Sequence, residues 1–402
     1  MNTIQVDPWP DTNGDIVPER PHAMQQPPWP DARHVKSVRD VLAGLPPLVS
    51  PAEVSRFGEL LRLVAAGRMH IIQAGDCAED PAECRPVEVG QKIAMIEALA
   101  GVLAMTTRSP VLRVGRIAGQ FAKPRSRSTE IQDGVELPVY RGHMVNDPTP
   151  TVEARRADPS RMLDAYAASR AVNETLRHHR ENFAGGHRDT HRLWTSHEAI
   201  LLDYEVPLRR CAAEAQQPYL SSTHWPWIGE RTRQIGGAHV HLLSQVANPV
   251  ASKVGPQMTT AELLELCRLL DPHRIPGRLT LIARMGRHHV DKLGELAKAV
   301  ETAGHPAIWL CDPMHGNTVT LDDGRKTRYL SAILEEVTQF VAQIRAVGAT
   351  AGGLHLETTP SPVLECLWDE EHRAPPASAF TSLCDPRLNI SQAVSVVSQW
   401  AA

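Results

Sequence analysis

The sequence predicts a (β/α)8 barrel over residues 31–402, preceded by an irregular arm over residues 1–30, and three observations carry that expectation. Short apolar runs alternate with stretches of helical periodicity along most of the chain. About eight such units fit within 402 residues, which suits a closed parallel barrel better than an open sheet. Finally, reactive side chains stand at or just past the C-terminal ends of the proposed strands, where a barrel of this kind opens its mouth.

The arm comes first. Residues 1–30 are rich in Pro, Asp and Asn, and "PWP" occurs twice, at 8–10 and 28–30, too short to be a structural repeat. The proposed strands are "MHIIQAGDC" (69–77), "PVLRVGRIA" (110–118), "YLSSTHW" (219–225), "NPVASKVGP" (248–256), "RLTLIARMG" (278–286), "PAIWLCDP" (306–313) and "AGGLHLETT" (351–359). "RLWTSHEAI" (192–200) is a weaker eighth. Between them, "VGQKIAMIEALAGVLAM", "TAELLELCRLL", "HVDKLGELAKAVETAG" and "YLSAILEEVTQFVAQIRAVG" have the apolar spacing of helices that cover a sheet. Cys77, Arg116, His224, Lys253, Arg284, His315 and Glu357 then fall at strand ends.

Composition narrows the function classes. The net charge of −4 and the absence of basic-aromatic interleaving argue against a nucleic-acid partner. The N-terminus lacks the basic and apolar regions of a secretory leader, and no apolar run reaches the roughly 18 residues that span a bilayer. The expectation is a cytoplasmic protein with no membrane partner. The seven cysteines are odd in number, widely spaced and free of Cys-x-x-Cys pairs, so a lone ligand or nucleophile is favoured over a disulfide framework.

Two constellations carry chemistry. The stretch "AIWLCDPMHGNT" (307–318) offers Cys311, Asp312, Met314 and His315. Alternation along the strand places Cys311 on the face of Trp309, as a packing residue, and His315 follows the chain-breaking Pro313 into the mouth. Cys77 in "AGDC", Glu357 in "LHLETT" and Asp385 in "SLCDPRLN" would complete a set of one thiolate, one imidazole and two carboxylates. Such a set suits Mn²⁺, Fe²⁺, Co²⁺ or Zn²⁺ with a position left for substrate. "HVH" (239–241), read as a strand, is a competing pair of imidazoles. The second constellation is basic: Arg113, Arg116, Lys123, Arg125, Arg231, Arg233, Lys253 and Arg284. Cations at the ends of apolar strands need anionic partners, so the substrates should carry several negative charges.

Together, "QAGDCAED", "GRIAGQFAKPRS", "WTSHEAILLDYE", "STHWPWIGERTRQ", "NPVASKVGP", "GRLTLIARMG", "CDPMHGNT", "KTR", "GGLHLETT" and "CDPRLN" make the chain resemble the type II 3-deoxy-D-arabino-heptulosonate 7-phosphate (DAHP) synthases, which open the shikimate pathway. The short form resembles synthases attached to secondary-metabolite pathways such as phenazine formation. The resemblance implies condensation of phosphoenolpyruvate with erythrose 4-phosphate. It implies metal ligation, with Mn²⁺ or Co²⁺ preferred over Fe²⁺ or Zn²⁺, by Cys77, His315, Glu357 and Asp385. Phosphoenolpyruvate binding falls to Arg116, Glu230, Arg231, Lys253 and Arg284, and erythrose 4-phosphate binding to Lys123, Pro124, Arg125 and Ser126. Glu230 is expected to position water, and Lys253 or His315 to move protons. A homo-oligomer is expected, with chorismate mutase as a possible partner.

The sequence departs from that family at Gly236, His241, Arg287 and His288, which puts substrate choice in question. Rival readings are a related synthase or aldolase that uses another aldose phosphate or an imine analogue, and a non-catalytic regulatory relative. Cys384, next to Asp385, is a candidate disulfide partner for Cys77 when metal is absent.

Overall fold

Among the described residues, eight strands close into a barrel: His70–Gly75 (β1), Val111–Arg116 (β2), Leu193–Glu198 (β3), Trp225–Ile228 (β4), Val250–Val254 (β5), Leu279–Ala283 (β6), Ile308–Cys311 (β7) and Thr350–Glu357 (β8). Each pairs in parallel with its sequence neighbours, and β8 returns to β1. The computed structural model describes residues 22–132, 134–181, 192–211, 217–372 and 375–401. Residues 1–21 of the expected arm therefore lie outside the described residues.

Alternation sorts the strand side chains into two layers. Outward residues such as Ile72, Leu281, Trp309, Cys311 and Leu356 pack beneath the surrounding helices. Those helices include Pro86–Thr107, Thr260–Leu270, Leu293–Thr302 and Leu330–Ala346. The inward residues of the lower barrel are apolar: Ile71, Val114, Trp194, Trp225, Ala251, Ile282, Ile308 and Leu310. The helix Pro51–Ala65 closes this end. It starts with a capping box between Ser50 and Glu53 and pushes Phe57 against Trp194 and Trp225, with ring centroids 5.1 and 5.6 Å apart. Each such fully buried side chain contributes roughly 1.5–3 kcal/mol. With the floor filled, the barrel interior among the described residues opens at its upper end.

Four sequence expectations change here. The segment 219–225 is not a barrel strand: Tyr219–Leu220 pairs with Arg209–Arg210, and the strand proper is the following "WPWI". His224 consequently precedes its strand and belongs to the floor. Its Nδ1 accepts the Thr195 amide at 3.1 Å, and burial lowers its pKa to about 3. "HVH" lies on the helix Ala238–Ser244, where buried His239 faces the Ile200 carbonyl at 2.9 Å. Pro86–Thr107 is long and apolar enough to pass for a membrane span, but it is a core helix lying on β1 and β2, with Val89, Ile93, Ile96 and Leu99 buried.

The described end of the arm lies on the barrel. Trp29 donates to Asp203 at 2.8 Å, Gln26 to the Ile200 carbonyl at 2.8 Å, and the Gln25 side chain accepts the Arg125 amide at 2.9 Å.

Candidate active site

Above the apolar floor the inward positions turn polar. Gln73, Arg116, Ser196, Lys253, His355 and Glu357 all face inward on their strands and are at most 5% exposed. Register brings them level, since Gly75 stands opposite both Arg116 and Glu357. A side chain at Gly75 (φ +147°) would meet the Arg116 carbonyl oxygen at 2.8 Å, so glycine is what lets β1 and β2 converge there.

A cavity of about 510 Å³ opens on this layer. Arg116, Lys123, Pro124, Arg125, Ser126, Glu230, Arg231, Lys253, Arg284, His315 and Asp385 all line it. The residues expected to bind substrate, drawn from four segments, thus line one cavity together with His315 and Asp385. Arg231 donates to Ser126 Oγ at 2.6 Å, and Arg284 to the His315 carbonyl at 3.1 Å. Glu230 pairs with Arg233 through Oε1 at 2.7 Å, while its Oε2 is buried without a hydrogen-bond partner.

The expected metal ligands behave in two ways. Donor atoms of His315, Glu357 and Asp385 lie within 4.8 Å of one another, and Cys77 does not join that cluster. The neighbouring Cys384 thiol lowers the pKa of Cys77 to about 6 against the opposing effect of burial, aided by the Lys123 ammonium. Its sulfur also lies 3.2 Å from Ser382 Oγ. Lys123, expected on the phosphate loop, turns its ammonium to Asp385 (2.9 Å) and Glu357 (3.3 Å). Cys311 is fully buried under the helices, and burial pushes its thiol up.

Asp312 organises the imidazole. Fully buried, it accepts His315 Nδ1–H at 2.8 Å and Lys253 Nζ at 2.5 Å. Burial alone would raise its pKa, but His315 and Lys253 hold it well below the usual carboxylate range. With Nδ1 committed to a carboxylate, Nε2 is the atom presented to Glu357, at 3.1 Å. An imidazole fixed in this tautomer, two clustered carboxylates and an adjacent acidified thiol fit a borderline divalent cation.

Several residues of the site escaped the sequence reading. Asp312 was weighed only as a ligand. Glu198 lines the cavity with Oε1 buried and unpartnered, its pKa raised by burial. His355 accepts from Arg116 NH1 at 2.5 Å, and Arg116 NH2 reaches Glu357 at 2.9 Å. Arg328 meets Glu357 Oε2 at 2.7 Å, and Lys326 meets Asp385 at 2.9 Å. The inward parity of Asp312 and His355 was the available signal.

The model of the class-II DAHP synthetase family matches residues 18–193 and 185–401. The chain belongs to the class-II DAHP synthetase family. Among its relatives in that family, the probable phospho-2-dehydro-3-deoxyheptonate aldolase of Pseudomonas fluorescens is 48% identical, over 94% of this chain and 95% of the relative. The phospho-2-dehydro-3-deoxyheptonate aldolase of Streptomyces coelicolor is 37% identical, over 93% of each chain. A solved structure, a truncated 3-deoxy-D-arabino-heptulosonate 7-phosphate synthase from Thermotoga maritima, aligns over 82% of this chain and 84% of that one at 16% identity, with a TM-score of 0.39. The class-II assignment rests on the family model and the relatives, and the barrel on the strand pairing.

Proposed function

We propose that the chain condenses phosphoenolpyruvate with erythrose 4-phosphate to give DAHP and inorganic phosphate, the entry step of the shikimate pathway. The observation that carries this reading is the meeting of Arg116, Arg231, Lys253 and Arg284 around one cavity beside the His315, Glu357 and Asp385 cluster. Two phosphorylated anions repel each other, and fixed cations offset that repulsion while holding the reacting carbons in place.

In this reading Arg116, Lys253 and Arg284 hold the phosphate and carboxylate of phosphoenolpyruvate. Arg231, bound to Ser126, completes the phosphoenolpyruvate set, and the Lys123–Ser126 loop takes the phosphate of the aldose. C3 of phosphoenolpyruvate forms a bond to the aldehyde carbon, water adds at C2, and phosphate leaves as the C2–O bond breaks. The free Oε2 of Glu230 is an acceptor for that water, and Glu198 offers a second. Lys253 and His315 share Asp312, so one carboxylate ties the anion site to the imidazole. His315, Glu357 and Asp385, joined by Cys77, would hold Mn²⁺ or Co²⁺, which supplies Lewis acidity toward the aldehyde oxygen.

Consumption of phosphoenolpyruvate in the presence of erythrose 4-phosphate is the direct test. Activity is expected to vanish after chelation and to return with Mn²⁺ or Co²⁺. Turnover that persists in chelator-treated, metal-free protein would refute the metal assignment, and a failure to turn over in any metal would refute the reaction.

Cys77 and Cys384 supply a second expectation. Both are free cysteines whose thiols influence each other's titration, and both neighbour Ser382 Oγ, which lies 3.2 Å from the Cys77 sulfur and accepts the Cys384 amide at 3.2 Å. In metal-free protein, diamide should take two electrons and two protons from the pair to form a disulfide, with the Cys77 thiolate as the attacking group. Peptide mapping should recover the cross-linked pair, and added Mn²⁺ should suppress it. Two thiols still open to alkylation after diamide would overturn this.

A further inference from the structure

Glu336 sits on the helix Leu330–Ala346, is 1% exposed and does not line the cavity. Its Oε1 accepts the backbone amides of Met285 (3.1 Å) and Gly286 (2.9 Å), the residues that follow Arg284. Its Oε2 accepts Asn317 Nδ2 at 2.6 Å, two residues beyond His315. Asn317 extends the link in both directions: Nδ2 also donates to the Pro313 carbonyl at 2.9 Å, and Oδ1 accepts the Arg287 amide at 3.0 Å. One carboxylate thus reaches two loops, each of which carries a residue of the site.

The loops are also in backbone contact. A Cβ at Gly286 (φ +77°) would lie 2.7 Å from the Gly316 carbonyl oxygen, so both loops need glycine to approach this closely. Arg284 then donates to the His315 carbonyl at 3.1 Å. Two other buried glutamates are bound to backbone amides, but each serves one loop. Glu79 accepts the amides of Ala118, Gly119 and Gln120, and Glu365 those of Thr381, Ser382 and Arg387. Glu336 differs in spanning two.

We propose that Glu336 is a positioning residue that sets the spacing between the phosphoenolpyruvate cation Arg284 and the metal-ligand imidazole His315, an inference that rests on the function proposed above. Burial raises the Glu336 pKa to about 8, opposed by the Gly286, Asn317 and Met285 donors, and the hydrogen-bond inventory around it is that of an acceptor at both oxygens. Every group bonded to Glu336 is an N–H donor, so an amide must turn a donor toward a donor whichever way it is flipped.

Glu336→Gln supplies the test, read as equilibrium binding of Mn²⁺ and of phosphoenolpyruvate to the full chain. Both dissociation constants are expected to rise by about 10–100-fold, the usual cost of losing a residue that orients ligands from behind. In Glu336→Gln/Asn317→Asp the acceptor is moved across the same contact, at the cost of the Asn317 bond to the Pro313 carbonyl, and both constants should recover part of the loss. If Glu336→Gln does not fold, Asn317→Ala removes every contact of the His315 loop to Glu336 and, on the Arg284 loop, only the Arg287 amide, leaving Met285 and Gly286 bound to Glu336, and should weaken Mn²⁺ more than phosphoenolpyruvate.

A merely structural glutamate would lower the melting temperature and leave both affinities at wild-type values. That result, or a double variant no better than the single one, overturns the proposal. Wild-type protein that bound neither ligand would overturn the functional reading and this inference with it.

Discussion

Glu357→Gln is expected to abolish Mn²⁺ binding and to lower kcat/KM by about 10³-fold or more, the largest effect of any single substitution in the site. Glu357 is fully buried at the end of β8. Oε1 meets Arg116 at 2.9 Å, His315 Nε2 at 3.1 Å and Lys123 at 3.3 Å, while Oε2 meets Arg328 at 2.7 Å. Burial would raise its pKa, but His315, Lys123, Arg328 and Arg116 hold it well below the ordinary 4.5. Glutamine keeps the shape and deletes the charge that these cations share. Leaving them uncompensated in the barrel should cost about 3–5 kcal/mol, measured as a shift of the urea unfolding midpoint. The sign of the pH dependence follows from the lowered pKa. Stability from this carboxylate is complete above about pH 4.5 and is lost as pH falls toward the folded value, so the gap between wild type and variant should narrow in acid. A variant that binds Mn²⁺ within twofold of wild type would remove Glu357 from the ligand set.

What the sequence made legible was mostly local. Apolar runs ending in Cys77, Arg116, Lys253, Arg284, His315 and Glu357 placed these residues at one end of a barrel, because a strand has only two faces and the mouth has only one side. His224 is misplaced because the run "YLSSTHW" has strand-like composition, whereas the barrel strand is the following Trp225–Ile228, whose Pro226 is unfavourable for a central strand. "HVH" misled for a related reason: alternate spacing suggests a strand, yet these residues follow Gly237 into a helix. The supporting carboxylates were harder to see. Glu335 and Glu336 are adjacent acids on an amphipathic helix, one exposed and one buried, and nothing in that stretch says which one reaches the loops after β6 and β7. Partnerships such as Asp312 with Lys253, or His355 with Arg116, join segments 59 and 239 residues apart, a distance that local pattern does not bridge.

Lys253→Met should raise the KM for phosphoenolpyruvate by at least about 10²-fold, because it removes a buried point charge from the anion site and leaves its partner unpaired. Lys253 is 5% exposed, and its Nζ stands 2.5 Å from Asp312 Oδ2. Burial lowers the ammonium pKa to about 8, with Arg116 and Arg284 adding to the effect and Asp312 opposing it. In the wild type, kcat/KM for phosphoenolpyruvate should therefore fall above about pH 8 as the charge is lost. Bound substrate anions stabilise the ammonium, so the corresponding limb of kcat should lie at higher pH. Folding shows the opposite slope. Between about pH 8 and the ordinary 10.5 the unfolded chain holds the extra proton, so this lysine makes stability rise with pH across that window. The methionine variant should lose both limbs. It should also weaken Mn²⁺ binding several-fold, because Asp312 would then be balanced by His315 alone, whereas Arg284→Ala, which touches His315 only at its carbonyl, should weaken phosphoenolpyruvate binding with a smaller change in metal affinity. Equal metal affinities in the two variants would mean that Asp312 does not transmit the loss of Lys253 to the imidazole, and an unchanged KM in Lys253→Met would remove the lysine from the anion site altogether.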